Sequence, residues 1–61
     1  MNKEIKRIRL TAHLLQEEFA KLIGVSKHTV SMWESGKYGV SIRNQRKIIK
    51  FCDQYGIQAE V

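Results

Sequence analysis

Between Gln16 and Gly36 the chain carries a pattern that few backbones can satisfy. Apolar residues at Phe19, Ala20 and Ile23 have helical spacing, and the run ends at Gly24. Glycine enters the left-handed backbone region without a Cβ penalty, so Gly24 predicts a corner. Ser26 then stands as the N-cap of a second helix, its hydroxyl able to accept from the free N–H groups near Thr29. Val30 and Trp33, three residues apart, give that helix a buried side, and Gly36 stops it. Two helices crossing steeply need a small side chain where they come closest. Ala20 meeting Val30, with Val25 plugging the corner, supplies it.

This set predicts a helix-turn-helix, with helices from about Gln16 to Ile23 and from about Lys27 to Ser35. In front of it, Ile5, Ile8 and Ala12 form one apolar stripe of a helix from Met1 to about Thr11, with Asn2 as candidate N-cap. His13 can take the left-handed position that ends this helix, and Leu14 can bury under the motif. Leu15 holds the N-cap position of the next helix without a side-chain acceptor. Glu17 and Glu18 in the first turn compensate in part through the helix dipole. After the motif, Lys37 to Val40 reads as a loop containing Tyr38 and Gly39. Ser41, or alternatively Asn44, caps a last helix whose inner face takes Ile42, Ile48, Ile49, Cys52 and Tyr55, widened by Phe51. Gly56 ends it, Ile57 folds back onto the core, and Gln58 to Val61 form a short tail. The expected fold is all-α, a compact four-helix domain with a short fifth turn as the variant.

A chain of 61 residues suffices for one domain, so residues 1–61 are expected to form a single unit. One cysteine permits no internal disulfide, and with no signal peptide it reads as intracellular, hence cytoplasmic. No apolar run approaches the roughly 20 residues of a membrane span. Eleven Lys and Arg against six Asp and Glu give a net charge of +5, which favours a polyanionic partner, nucleic acid ahead of a membrane surface. Lys37, Arg43, Arg46, Lys47 and Lys50 fall in a stretch without a single acid, just after the motif. His13, His28 and Cys52 lack metal-ligand spacing, and no catalytic or Gly-rich phosphate signature occurs, so neither an enzyme nor a cofactor is expected.

Gln16-Glu17-Glu18-Phe19-Ala20 is similar to the "TQEELA" segment of the Cro/repressor (XRE-type) helix-turn-helix family. Gly24-Val25-Ser26 matches that family's turn, and Val30 to Lys37 is similar to its "ISxWExGK" segment. The resemblance runs from about Ile5 to Ile57 and implies a lambda-repressor-like fold. It also implies a transcriptional regulator of phage or bacterial type, binding a near-palindromic operator as a homodimer. The chain departs from the family in three places. Leu15 replaces the usual Ser or Thr cap, Val40 stands where proline is common, and the last helix comes out about one turn long.

At the family's base-reading positions stand Lys27, His28, Ser31 and Met32. Lys27 suits guanine O6 and N7, His28 a guanine or a phosphate, and Met32 a thymine methyl; Ser31 is ambivalent. Gln16 starts a helix, where free N–H groups and the dipole favour a phosphate. Ser26, Ser35, Lys37, Arg43 and Lys47 are further phosphate candidates, and Tyr38 either joins them or covers the core. Arg9 and Glu34 resemble a recurrent family pair that ties the first helix to the end of the third, a structural role without DNA contact. The rival expectation is an antirepressor or antitoxin-like module that binds a protein partner through Ile57, Ala59 and Val61.

Overall fold

The computed structural model describes residues 1–58, so Ala59 and Val61 lie outside the described residues. Four helices follow one another: α1 (Asn2–Thr11), α2 (Gln16–Ile23), α3 (Lys27–Ser35) and α4 (Ile42–Tyr55). α3 packs against α1 and α2, and α2 packs against α4. One core unites them, built from Ile5 and Ile8 of α1, Phe19, Ala20 and Ile23 of α2, Val30 and Trp33 of α3, and Ile48, Phe51 and Cys52 of α4. Phe19 meets Phe51 edge-on with ring centroids 5.2 Å apart, an arrangement that adds about 0.5–1.5 kcal/mol to the burial of the two rings. Burial also pushes the Cys52 thiol up, so this side chain packs as a neutral apolar group.

Local chemistry closes the helix ends. His13 is the one non-glycine residue with positive φ among those described, at 58°. His13 N–H donates to the Leu10 carbonyl and Leu14 N–H to the Arg9 carbonyl, the two bonds of a Schellman motif. Gly24, at φ 90°, ends α2, with Val25 N–H on the Ala20 carbonyl at 3.0 Å. Ser26 then caps α3, its Oγ accepting from Thr29 N–H at 3.1 Å. Ser41 caps α4 in the same way through Asn44 N–H at 3.3 Å. Leu15 gives α2 no side-chain cap, but its own N–H donates to Glu18 Oε1 at 2.8 Å, half of a capping box. Glu18 therefore compensates with a hydrogen bond as well as with its charge.

Five expectations need correction. The last helix is 14 residues long, far more than one turn, because its apolar face continues through Ile48, Phe51 and Cys52 to the stop at Gly56. Ile42 is 69% exposed, since it sits about 120° around α4 from the buried face that Ile48 defines. Tyr55 is 48% exposed at the far end of α4, stacked on Phe51 at 4.3 Å, and Ile49 is only half-buried. Val40, from the loop before α4, goes into the core instead. Finally, α1 starts from Met1, and Asn2 is its first helical residue. The Asn2 amide reaches across to the Tyr38 carbonyl, and at 3.5 Å to the Trp33 carbonyl.

Candidate nucleic-acid interface

The second helix of the motif divides by face. Val30 and Trp33 are buried, whereas Lys27 and His28, in its first turn, are exposed. Ser31 and Met32 are half-buried, because each flanks the buried side at about 100° per residue. The side chain aimed most directly away from the core is therefore His28, with Ser35 two turns on beside it. Met32 is only partly accessible.

Lys27 shares a shallow cleft with Arg9, Gln16 and Glu17. The start of α3 and the start of α2 thus lie side by side, although ten residues separate Gln16 from Lys27 in the chain. Backbone N–H groups in the first turn of α2 have no intrahelical partner, so this end carries partial positive charge. The Gln16 side chain is partly engaged: Nε2 donates to Glu34 Oε1 at 3.2 Å, which leaves its second N–H and its carbonyl oxygen.

Arg9 and Glu34 are brought together from α1 and α3. Arg9 Nε donates to Glu34 Oε2 at 2.7 Å and Nη2 to Oε1 at 3.1 Å, a two-pronged pair whose side chains are 10% and 8% exposed. Arg9 Nη1 also donates to the Leu14 carbonyl at 2.8 Å, so one guanidinium holds α3 and the α1–α2 connection at once. Burial pushes the Glu34 carboxyl up, but hydrogen bonds from Arg9 and Gln16, with the charges of Arg9 and Lys6, outweigh it and hold it below its ordinary value. The bond to Glu34 raises Arg9 against its own burial. Sequence reasoning missed Gln16 as a third member of this cluster. The signal was present, since Gln16 opens α2 beside Arg9, but only the packing of α3 brings Glu34 between them.

The phosphate candidates separate into groups. Lys37, Arg43 and Lys47 are exposed. Tyr38 is 64% exposed and does not cover the core. Ser26 and Ser35 are turned onto their own helix: the Ser26 hydroxyl pairs with Thr29 Oγ1 at 2.9 Å, and Ser35 Oγ donates to the Met32 carbonyl at 3.0 Å. Lys47 stands beside Gly24, where a Cβ would lie 3.8 Å from its Nζ, at the opposite end of α2 from Gln16. Missed by the sequence reading is Gln45, whose Nε2 donates to the Val40 carbonyl at 2.9 Å and fixes the loop ahead of α4.

Ile57 is half-buried against the core, and the Gln58 carbonyl accepts from Arg7 at 3.0 Å. Of the three residues expected to form a partner surface, the one described is thus largely committed to packing.

The model of the helix-turn-helix family matches residues 5–58. The chain is 38% identical over 60 residues to an uncharacterized HTH-type transcriptional regulator of Methanocaldococcus jannaschii, which covers 98% of this chain and 86% of that protein. An uncharacterized HTH-type transcriptional regulator of Archaeoglobus fulgidus is 38% identical over 50 residues, covering 82% of this chain and 70% of its own length. A third match is the antitoxin PezA of Streptococcus pneumoniae, 42% identical over 41 residues, which are 67% of this chain and 26% of the antitoxin. No solved structure matches.

Proposed function

The chain belongs to the XRE-type helix-turn-helix family of transcriptional regulators, and on that premise we propose that it reads double-stranded DNA sequence with α3 in the major groove. Residues 1–61 act in this reading as one DNA-binding domain, without catalysis, in the cytoplasm where its DNA lies. The observation that carries it is the division of α3: Val30 and Trp33 lock one side into the core, while Lys27 and His28 project at the end beside the free N–H groups of α2. Phosphates bound at the start of α2 would fix the register, and the exposed first turn of α3 would then face base edges.

Lys27 and His28 are the leading base readers, with Ser31 and the accessible part of Met32 behind them. Gln16, Lys37, Tyr38, Arg43 and Lys47 supply backbone contacts, whereas Ser26 and Ser35 can contribute only what their helix bonds leave. Arg9 and Glu34 brace the frame and stay off the DNA. One subunit offers few base contacts. A homodimer on a near-palindromic operator, with its recognition helices about 34 Å apart, supplies the remainder.

The test is a gel shift on a site selected from random duplexes, with a salt titration. Lys27→Ala and His28→Ala are each expected to cost about 1–3 kcal/mol on the selected site and little on random DNA. Four or five neutralised phosphates predict a salt slope of about −4 per subunit, from about −0.9 per phosphate. Equal losses on both DNAs, or a flat salt dependence, would sink the reading. The match to an antitoxin favours a second reading, in which the same fold engages a protein partner. Specific capture of a protein without any specific DNA shift would select it.

A further inference from the structure

On the other side of α2 from its contact with α3, α2 and α4 leave an open groove of about 330 Å³. Leu22, Ile23, Phe51 and Tyr55 make its apolar walls, and Lys47 and Lys50 stand at its edge. Leu22 is 53% exposed, and the exposed Tyr55 ring beside it continues the Phe19–Phe51 aromatic series out of the core, so the two form one apolar wall. Among the described residues no carboxylate lines the groove. We infer that this groove docks an acidic amphipathic helix of a partner protein, one apolar side chain entering between Leu22 and Tyr55 and carboxylates flanking it on Lys47 and Lys50.

Size, charge and spacing each narrow the occupant. The volume lies at the small end of the roughly 300–1,000 Å³ that small-molecule sites occupy, and the groove is open, which suits one or two inserted side chains. Lys47 and Lys50 are three residues apart on α4, so their stems rise from neighbouring positions, about 5–6 Å apart at Cβ. Carboxylates one helical turn apart on a partner match that separation. A second copy of this chain fits poorly, because a two-fold contact sets a patch against itself and would press these lysines toward their own copies. In the DNA reading above Lys47 meets a phosphate, so the helix would compete with DNA for that lysine and Lys50 belongs to the groove alone; a phosphate backbone has nothing to fill the apolar walls.

The probe is a synthetic helical peptide with leucines along one face flanked by glutamates, titrated into the full chain by fluorescence anisotropy and amide NMR. The expected result is saturable binding that shifts the amides of Leu22 and of residues 50–55. Replacing the peptide glutamates by glutamine, or Lys50→Glu in the chain, is expected to weaken it at least tenfold. Lys50 is exposed, so the variant is expected to keep its fold; if it does not, the glutamine peptide on the unaltered chain decides the matter. Absence of binding, equal affinity for the glutamine peptide, or shifts elsewhere would overturn the inference. So would the same shifts arising from self-association, or a duplex DNA that produces them and loses one phosphate from its salt slope in Lys50→Glu. Selected-site binding through Lys27 and His28 is measured on the same samples, so failure of the DNA reading and failure of the groove are separable.

Discussion

The two corners that bracket α3 are closed by different means. The α2–α3 corner uses adjacent residues: Gly24 takes the left-handed backbone, Val25 packs on the core, and Ser26 caps the next helix. The α3–α4 corner is longer. Gly36 and Ser41 end and start the helices in the same local way, but the backbone between them is held from a distance. Asn2 bonds the Tyr38 carbonyl, Gln45 bonds the Val40 carbonyl, and Val40 is buried. The first corner sets the angle of α3 with neighbouring residues. The second holds its Tyr38 and Val40 carbonyls through Asn2 of α1 and Gln45 of α4, so part of the proposed phosphate-binding surface depends on the fold behind it.

The largest expected effect comes from Glu34→Ala, which would leave Arg9 buried without its partner. Breaking a buried pair typically costs about 3–5 kcal/mol, enough to unfold much of a domain this small, and thermal denaturation would read it. A double-mutant cycle with Arg9→Ala should show strong coupling; a value below about 0.5 kcal/mol would mean that the pair does not tie α3 to α1. The same pair predicts a pH dependence. The folded-state pKa of Glu34 is lowered, so its contribution is complete above the unfolded value of about 4.3 and is lost as pH falls through the folded value. Acid unfolding curves of Glu34→Gln should lack this component.

Gly24→Ala tests the local corner next. A Cβ there meets only ordinary contact with Lys47, so the cost is backbone strain, about 1–2 kcal/mol, measurable by urea denaturation. A neutral result would remove Gly24 as the determinant of that corner. Asn2→Ala tests the distant one, with an expected loss of about 0.5–1.5 kcal/mol and faster hydrogen exchange confined to residues 38–40. Uniformly faster exchange would show that Asn2 supports α1 generally and leaves the comparison unsupported. Similar in size, and opposite in sign, is Leu15→Ser. It replaces an exposed leucine by a side-chain cap and should raise stability by about 1 kcal/mol in the same urea assay.

Glycine and serine positions made the helix boundaries readable, because capping and left-handed corners depend on residues a few places apart. That is why Gly24, Ser26, Gly36, Ser41, Gly56 and even His13 stand in the structure where local chemistry puts them. The family and the all-α fold were legible for the same reason. Helix periodicity likewise gave the inner faces of α1, α2 and α3, but it misassigned Ile42 and Tyr55 on α4. Ile42 lies off the buried face of α4, whereas Tyr55 lies on it at the far end of the helix, where burial also requires something to cover the face. Among the interface candidates, the sequence could supply residue types and their helix positions. Tertiary packing alone decided that the start of α2 lies beside the start of α3, and that Gln16 joins Arg9 on Glu34. It also decided that Val40 enters the core and that Leu22 and Tyr55 border an open groove with two lysines. Those relations link residues far apart in the chain, and no local propensity encodes the distance between them.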